Sequence, residues 1–460
     1  MKNKITLIAS SLSCVALQTA VAQLKASQPN IIYILADDLG YGDLGCYGQQ
    51  KFSTPNIDAM ASDGMRFTQN YSGSTVSAPS RCCLLTGKHT GHAAIRGNSN
   101  TKGSDGKMYD TSLPDSEVTI AELLKTRNYA TACIGKWGMG GVGSEGHPNK
   151  QGFDYFYGYL GQANAHSYYP EYIHENSQEI VLSKKVYTHD LFENKAFEFI
   201  KTNAKKSFFL YLAVTIPHAE LQIPTEYRTA YENSFMPEKA HKGDYSPQEK
   251  PHATFAAMVS RLDMTVGKLN QLLRDLKLDE NTIVIFSSDN GPHKEGGADP
   301  LVFNSGGGLR GVKRDLYEGG IRVPMIVKWP QVVKSETVSN QPIAFWDVLP
   351  TLAEVGTIKS TSKIDGVSFL PTLKGKKQSK KHLPFYWEFY EQGGKQAIIS
   401  GDWKLIKLNV KTPDKAFFEL YNIKDDLSEK NNLAKTKPDM VKKLSKLMDK
   451  QHIQNDKFKW

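Results

Sequence analysis

Short apolar segments recur along the first three quarters of the chain, each bounded by polar or glycine-rich residues. They span residues 30–36, 129–134, 208–215, 282–287 and 323–328. Segments of this length and uniform hydrophobicity are typical of parallel strands that are buried on both faces. Helical periodicity marks the intervening residues 118–126, 190–202 and 253–276. Strands that alternate with helices predict an α/β fold, with a large doubly wound sheet flanked by helices.

The pattern changes after about residue 375. Short strands separated by polar turns are predicted at residues 385–390, 396–400, 403–408 and 417–422. A helix follows at residues 438–451, with Leu444, Leu447 and Met448 on one face. We therefore predict a larger domain at residues 23–375 and a C-terminal α+β subdomain at residues 376–460, in which a helix covers an antiparallel sheet.

The N-terminus has the features of a signal peptide at residues 1–22. Lys2 and Lys4 precede a mostly apolar segment, and Ala-Val-Ala at residues 20–22 is a typical cleavage signal. The apolar segment is short for a membrane span, and no later segment approaches one. The sequence therefore predicts an exported protein, periplasmic or at the cell surface, with no membrane span. Cys14 leaves a lipoprotein form open as an alternative.

Composition narrows the function classes further. The chain has a formal net charge of +9 and 40% hydrophobic residues, which is enough for a sizeable core and excludes a disordered chain. We interpret the excess of lysines as a solvated face, because no nucleic-acid-binding motif accompanies it. The cysteines show no Cys-x-x-Cys or Cys/His spacing, which argues against a structural zinc site. Their number excludes a disulfide scaffold, although a single disulfide stays open.

Polar groups directly follow four of the five predicted strands. They are Asp37, Asp38, Lys136, His218, Asp289 and Asn290. Binding sites in doubly wound sheets form beyond the carboxyl ends of the strands, so we expect these groups to converge. Adjacent residues of a regular strand point to opposite faces. Asp37 and Asp38 can therefore share one ion only because they lie where the strand ends.

The most informative segment is residues 77–87, which read SAPSRCCLLTG. A helix N-terminus with Ser77 as its cap would explain Pro79, but not Arg81 or the Thr-Gly pair at the end. The segment resembles the signature of type I sulfatases, Cys or Ser-x-Pro-Ser-Arg-x-x-Leu-x-Thr-Gly, at every fixed position. This resemblance implies an alkaline-phosphatase-like fold and a sulfuric ester hydrolase.

The resemblance also implies a specific chemistry for Ser77. In that family the first residue of the motif is oxidised to formylglycine, and a sulfatase-maturing radical enzyme would perform this step on a serine. The aldehyde hydrates to a geminal diol, of which one hydroxyl attacks sulfur and the other expels sulfate from the covalent ester. An unmodified serine could attack sulfur but could not release its product in this way.

Both of the family's metal motifs are matched, one after the first predicted strand and one after the fourth. Asp37 and Asp38 match the first motif, and Asp289 and Asn290 match the second. The resemblance therefore implies a site of three carboxylates and one amide oxygen, a ligand set that suits Ca²⁺. Taken alone, an Asp-Asp pair after a strand would be interpreted as turn chemistry.

Cationic and imidazole groups complete the implied catalytic site. The resemblance assigns Arg81, Lys136 and Lys313 to the oxygens of the sulfate group, where they would stabilise the transition state. It assigns His218 to the leaving oxygen, which it would protonate or bind. Residues 318–324 and two C-terminal segments, 418–422 and 428–434, also resemble the family, so the likeness covers nearly the whole mature chain.

One position departs from the family pattern. Gly138 stands where the family has a histidine, in Gly-Lys-Trp-His-Leu-Gly. A subgroup of gut-bacterial carbohydrate sulfatases shares this glycine, and the resemblance to it implies exo action on 4-O-sulfated galactose or N-acetylgalactosamine. His166 is a candidate replacement for the absent imidazole, because residues 164–169 form a polar, aromatic loop between two core strands. An ordinary loop histidine stays open as the alternative.

Two other functions stay open at this point. A phosphonate monoester or phosphodiester hydrolase of the same superfamily would share the formylglycine motif. A zinc phosphatase of this fold would need several histidine ligands, which the predicted metal set lacks. A non-catalytic glycan-binding protein is the alternative if Ser77 is never oxidised.

Overall fold

The computed structural model describes residues 28–359, 363–378, 380, 382 and 384–460. The strands are β1 Asn30–Ala36, β2 Met65–Phe67, β3 Asn70–Tyr71, β4 Asn100–Lys102, β5 Met108–Asp110, β6 Ala130–Lys136, β7 Tyr155–Tyr159, β8 Tyr172–Glu175, β9 Gln178–Val181, β10 Phe208–Ala213, β11 Thr282–Ser288, β12 Met325–Lys328, β13 Thr337–Ser339, β14 Ile343–Ala344, β15 Phe385–Phe389, β16 Lys395–Ser400, β17 Trp403–Leu408 and β18 Phe417–Asn422. The α-helices are α1 Pro55–Ser62, α2 Ser77–Thr86, α3 Ile120–Lys125, α4 Thr188–Thr202, α5 Thr225–Arg228, α6 Pro251–Asp275, α7 Pro300–Phe303, α8 Glu318–Ile321, α9 Val348–Val355, α10 Leu370–Leu373 and α11 Pro438–Gln451.

Ten strands form one mixed sheet in the order β13-β2-β12-β11-β1-β10-β6-β7-β8-β9. Its centre, from β11 through β1, β10 and β6 to β7, is parallel. The expectation of a parallel strand at residues 323–328 is wrong, because β12 runs antiparallel to β11. A parallel return requires a crossover that carries the chain back along the sheet, usually a helix. Only the four-residue helices α7 and α8 separate β11 from β12, and the chain turns back instead.

Both faces of the sheet are covered, as the uniformly apolar strands predict. Along β1 the side chains of Ile31, Tyr33 and Leu35 enter one core cluster, and those of Ile32 and Ile34 enter the other. Helices α2, α3 and α9 contribute to the first cluster, while α1, α4 and α6 contribute to the second. The period of two along a strand thus divides a continuous apolar run between two helical layers.

The C-terminal residues form the predicted antiparallel sheet, in the order β15-β16-β17-β18. Helix α11 packs on it through Leu444 and Met448, which confirms the predicted helix face. The domain boundaries at residues 22/23 and 375/376 stay predictions, and the signal peptide lies outside the described residues. Cys46, Cys82, Cys83 and Cys133 are unbridged. Among the described residues, no helix is both long enough and apolar enough to cross a membrane.

A buried ion cluster connects the C-terminal sheet to the larger domain. Lys404 Nζ on β17 lies 2.9 Å from Glu318 Oε1 and 2.9 Å from Glu429 Oε1, and all three side chains are fully buried. Glu429 Oε2 also accepts a hydrogen bond of 2.6 Å from the backbone N–H of Glu318. Burial raises the pKa of Glu429 to about 7, despite the neighbouring charge of Lys404. Arg322 also pairs with Glu318 Oε2 at 2.6 Å, so Lys404 is above all the cation on which the buried Glu429 depends.

Replacing Lys404 should destabilise the fold strongly. Lys404→Met leaves the buried Glu429 without an ion-pair partner, while Glu318 keeps its pair with Arg322, and we expect the free energy of unfolding to fall by about 3–5 kcal/mol. Urea titration followed by circular dichroism measures this difference. Lys407→Met is the matched control, because Lys407 lies on the same strand and its ammonium group rests over the Phe418 ring instead of a carboxylate. Equal midpoints for the two variants would contradict the role of the cluster.

Candidate active site

The polar groups predicted at the strand ends do converge. Strands β11, β1, β10 and β6 are neighbours in the sheet, and Asp289, Asp37, His218 and Lys136 lie at or just beyond their carboxyl ends. Asp38 adopts a left-handed conformation with φ of 64°. This conformation is uncommon for a residue with a side chain and ends the extended geometry of β1. The backbone N–H of Asp38 then donates to Asp289 Oδ1 at 3.1 Å, which fixes one aspartate against the other.

Ser77 lies at the centre of this group. It is the first residue of α2, and Val76 precedes the helix as its cap, so the expectation that Ser77 is the cap is wrong by one residue. The reason is that its hydroxyl is used elsewhere: Ser77 Oγ donates to Asp37 Oδ1 at 2.9 Å. Lys136 Nζ lies 3.4 Å from Ser77 Oγ and 2.7 Å from Asp37 Oδ2. The buried Ser77 oxygen thus faces an ammonium group at the positive end of a helix.

The rest of the motif holds α2 in this position. Arg81 donates to Asp289 Oδ2 from Nε at 3.0 Å and from a terminal nitrogen at 2.8 Å, and its other terminal nitrogen donates to the Lys136 carbonyl at 2.8 Å. Ser80 Oγ donates to the backbone carbonyl of Asp289. Gly87 ends the helix with φ of 71°, a conformation that favours glycine. Arg81 therefore joins the end of β11 to the end of β6.

A second cationic group lies on the other side of the aspartates. Lys313 Nζ donates to Asp38 Oδ2 at 2.9 Å and to Glu295 Oε2 at 2.9 Å, and it lies 3.1 Å from His218 Nε2. Glu295 also pairs with Arg314. The sequence analysis missed Glu295 and Arg314. Their nearness in sequence to predicted site residues could have identified them. Glu295 follows Asp289 and Asn290 by a few residues, and Arg314 is adjacent to Lys313.

The tautomer of His218 follows from its partners. Its Nδ1 faces the carbonyl oxygen of Ala219, which can only accept, so Nδ1 carries the proton. Nε2 is then an acceptor for Lys313. Burial, followed by the charge of Lys313, lowers the pKa of His218 to about 3. The His218 ring is therefore neutral, and Lys313 is the proton donor of this pair.

The surroundings of the site shift the pKa values of Asp37 and Asp289 in opposite directions. Burial alone would raise the pKa of Asp37, but the charges of Lys136 and Arg81 outweigh it and hold the pKa well below its usual value. Burial, followed by the negative charge of Asp37, raises the pKa of Asp289 to about 7. Closely spaced acids that share a desolvated site favour a bound cation.

His166 is also at the site, although not at Gly138. Its ring stacks on that of His218, with centroids 4.9 Å apart and an interplanar angle of 12°. Burial, followed by the charges of Lys136 and Lys313, lowers the pKa of His166 to about 4. The side chain that packs against Gly138 is that of Gln162, whose Cγ lies 3.0 Å from the position a Cβ would take. The role predicted for His166 stays a prediction.

Comparison with known proteins identifies the family. The family model described as sulfatase matches residues 29–358. The chain belongs to the sulfatase family. A second model, described as the C-terminal part of N-sulphoglucosamine sulphohydrolase, matches residues 311–456. This sulfatase is therefore a sulfuric ester hydrolase, as the sequence analysis predicted, and its ten-stranded and four-stranded sheets lie within matched regions.

Individual relatives cover nearly the whole sulfatase chain. N-acetylgalactosamine-6-O-sulfatase of Bacteroides thetaiotaomicron is 30% identical, over 92% of this chain and 93% of the relative. The crystal structure of Ps i-CgsB in complex with k-i-k-neocarrahexaose is 31% identical, covers 94% of both chains and has a TM-score of 0.78. Phosphonate monoester hydrolase of Agrobacterium radiobacter is 17% identical over 92% of this chain and 96% of that one, with a TM-score of 0.66. The last likeness concerns the fold alone, and together these matches confirm the predicted alkaline-phosphatase-like fold.

The residues of the sulfatase site fit a hard divalent cation. Asn290 Nδ2 donates to Asp38 Oδ1 at 2.7 Å, while Asn290 Oδ1 is buried without a hydrogen-bond partner among the described residues. A buried amide oxygen without a donor is costly unless a cation faces it. The adjacent oxygens of Asp37, Asp38 and Asp289 supply the carboxylates that Ca²⁺ prefers. The donor set therefore suits calcium.

His293, which lies beside this site, is not suited to bind zinc. One ligand atom each of Asp38, His293 and Glu295 lies within 4.8 Å of the others. However, His293 Nε2 bonds the Pro217 carbonyl at 3.0 Å, and Nδ1 accepts from the backbone N–H of Glu295 at 3.1 Å. Both ring nitrogens are thus committed to the backbone, and neither has a free lone pair for a metal.

Removing one carboxylate should weaken the binding of a divalent cation. We expect Asp289→Asn to lower calcium affinity by about tenfold or more, because it deletes a charge from the ligand set. Calorimetric titration of chelator-treated protein with calcium, supported by elemental analysis, measures the loss. Asp43→Asn is the matched control: Asp43 is equally buried and has a pKa raised by burial to about 6, but its hydrogen-bond partners are Gly40 and Ser305 instead of groups of the site. Undiminished calcium in Asp289→Asn, or zinc with chelator-resistant activity, would contradict the assignment.

Proposed function

We propose that this sulfatase is an exo-acting, calcium-dependent hydrolase that removes sulfate from a sulfated glycan, with a nucleophile made from Ser77. The observation that carries the proposal is the position of Ser77 Oγ. It lies at the start of α2, bonded to Asp37 and within 3.4 Å of Lys136 Nζ, with the Arg81 guanidinium beside the same carboxylate. An unmodified, uncharged hydroxyl has no evident need of so much buried charge.

The residues around Ser77 suit a sulfate group in particular. Lys136 and Arg81 place positive charge near the Ser77 oxygen, and the backbone N–H groups of the first turn of α2 point in the same direction. Fixed donors of this kind stabilise negative charge that develops on sulfate oxygens. Oxidation of Ser77 to formylglycine, which we assign to a sulfatase-maturing radical enzyme, would supply a hydrated aldehyde as the nucleophile. Calcium held by Asp37, Asp38, Asp289 and Asn290 would polarise the S–O bond.

The leaving oxygen would face the Lys313 side of the site. Lys313 donates to His218 Nε2, and the neutral His218 ring keeps this ammonium group oriented. His166 stacks on His218 and is partly exposed, so its ring borders the space beyond the reacting group. We propose that the Lys313 ammonium group binds the leaving oxygen, with His218 as its orienting partner. Burial would lower the pKa of Lys313, but the charges of Asp38 and Glu295 outweigh it and raise that pKa, so the group would stabilise the leaving oxygen through its charge.

Relatives point to an amino sugar or galactose substrate. The bacterial relative with 30% identity is an N-acetylgalactosamine-6-O-sulfatase, and the structural relative with 31% identity binds a neocarrahexaose. The resemblance at Gly138 instead favoured 4-O-sulfated sugars. We propose a sulfated galactose or N-acetylgalactosamine unit at a glycan end, handled outside the cytoplasm after export. Sulfate release from the 4-O- and 6-O-sulfated forms of both sugars separates the two positions.

The same screen tests the alternatives. A phosphonate monoester hydrolase shares the fold at 17% identity, so an aryl phosphodiester belongs in the panel beside the sugar sulfates. Faster cleavage of the phosphodiester would overturn the proposal in favour of a phosphoryl enzyme. Binding of a sulfated sugar without turnover, by protein whose Ser77 is unmodified after co-expression with a maturing enzyme, would favour a non-catalytic glycan-binding protein.

Turnover should depend on Ser77 in its oxidised form. We expect Ser77→Ala to abolish sulfate release while folding and calcium binding persist, because only the nucleophile is removed. Mass spectrometry of the peptide that contains Ser77 should show the loss of one hydrogen molecule in active preparations. Ser74→Ala is the matched control, since the buried Ser74 hydroxyl has no hydrogen-bond partner among the described residues. Full activity with wholly unmodified Ser77 would contradict the mechanism.

His166 should contribute to the rate and not to calcium binding. If its imidazole supports the transition state, His166→Ala should lower kcat by about a hundredfold or more, as for other donors aimed at developing charge. Steady-state kinetics on the best sugar sulfate and calorimetry with calcium provide the two measurements. His241→Ala controls for the loss of a loop imidazole that does not stack on His218. A near-normal kcat in His166→Ala would leave it as an ordinary loop histidine.

A further inference from the structure

The segment that follows β7 borders the site on two sides. Gln162 packs over Gly138, two residues after Lys136, and His166 stacks on His218. The backbone N–H of Gly138 donates to the Leu160 carbonyl at 3.1 Å, which fixes the start of this segment at the end of β6. Because Gly138 has no side chain, the Gln162 side chain occupies the space beside it. Gln162 is therefore a rim residue on the Lys136 side of the site.

Gln162 is held in a single orientation by a buried aspartate. Its backbone N–H donates to Asp110 Oδ2 at 2.8 Å, and its Nε2 donates to Asp110 Oδ1 at 3.0 Å. Nε2 also donates to Asn98 Oδ1 at 3.3 Å. Carboxylate oxygens accept but do not donate, so the amide nitrogen of Gln162 must face Asp110. Asp110 is 5% exposed, which makes it a fixed support beneath a partly exposed side chain.

This arrangement leaves one acceptor and one donor at the rim. Within the described parts of the chain, Gln162 Oε1 and Asn98 Nδ2 make no hydrogen bond. The other two polar atoms of these side-chain amides, Gln162 Nε2 and Asn98 Oδ1, bond each other. Asn98 is exposed and Gln162 partly exposed, so both groups can meet a ligand. A sugar ring presents neighbouring hydroxyl groups that each donate and accept. An acceptor beside a donor on two linked amides matches such a pair.

We propose that Gln162 and Asn98 bind hydroxyl groups of the sugar that carries the sulfate, with Asp110 as the residue that positions Gln162. The inference rests on the proposed function, since it supplies the sugar contact for the reaction at Ser77. Gln162 accepts from one hydroxyl through Oε1, and Asn98 donates to its neighbour through Nδ2. The pair sets which sugar is accepted and takes no part in the chemistry at sulfur.

Sugar binding and sulfate binding should separate in Gln162 variants. On the fastest substrate among the 4-O- and 6-O-sulfated forms of galactose and N-acetylgalactosamine, Gln162→Ala should raise KM about three- to tenfold, as expected for one lost hydrogen bond. We expect kcat and the inhibition constant of inorganic sulfate to stay within about twofold, because sulfate meets only the cationic groups. Gln162→Met preserves volume and tests the same contact if the alanine variant is unstable. Gln341→Ala controls for loss of a partly exposed glutamine elsewhere.

The role of Asp110 is tested through Gln162. Asp110→Asn puts an amide nitrogen against the N–H donors of Gln162, so it should raise KM in the same direction. If Asp110 acts only by positioning Gln162, the double variant Asp110→Asn/Gln162→Ala should match Gln162→Ala alone within about twofold. Multiplied effects in the double variant would contradict this positioning role.

The outcomes separate this inference from the proposed function. An active wild-type enzyme whose KM is unaltered in both Gln162→Ala and Gln162→Met overturns the sugar contact and leaves the sulfatase mechanism standing. A wild-type enzyme, matured at Ser77, that cleaves none of the four sugar sulfates overturns the proposed glycan substrate itself. An increased KM with an unchanged sulfate inhibition constant supports the inference.

Discussion

Negative charge concentrated beyond the ends of two neighbouring strands is the constraint on which the site depends. Asp37, Asp38 and Asp289 are fully buried, and each would cost several kcal/mol if left uncompensated. Their partners come from three different elements: Arg81 from α2, Lys136 from β6, and Lys313 from the segment that follows α7. The need to pair these carboxylates brings the three elements together, and Ser77 lies where they meet.

The C-terminal subdomain contributes to the same site through the segment that carries Lys313. Lys395 on β16 donates from Nζ to the Arg314 carbonyl at 2.7 Å and to Asp315 Oδ1 at 3.1 Å. A few residues later, Glu318 enters the buried cluster with Lys404 of β17. Residues 318–324 resemble the family in sequence, and in the structure Glu318 connects this segment to the C-terminal sheet through Lys404. Just before this segment, Lys313 pairs with Asp38 of the site.

The sequence predicted those parts of the structure whose signal is local or carried by a dense motif. The predicted bounds of residues 30–36 are those of β1, because a continuous apolar run marks this strand. The predicted bounds of the last helix are those of α11, which begins at Pro438 and has an apolar face. An apolar run does not indicate whether a strand is parallel or antiparallel to its neighbour. For this reason the direction of β12 was predicted wrongly. The hydroxyl of Ser77 has two competing partners, the helix backbone and Asp37, and only the fold brings the second within reach. Glu295 lay in no motif considered, and its partner Lys313 is distant enough in sequence that no local pattern connects them.

The balance of charges in the site connects calcium binding to substrate binding. Four acids, including Glu295, face four cations, including Arg314, so the site is close to neutral before any ligand binds. In this state Lys136 and Lys313 direct their N–H groups at Asp37 and Asp38, which are also the proposed calcium ligands. Calcium and the lysines thus compete for the same carboxylate oxygens. A cation that takes over those oxygens leaves the ammonium groups under-compensated, and a sulfate ester supplies the missing negative charge. Calcium and the anionic substrate should therefore favour each other's binding, and by linkage the preference is reciprocal.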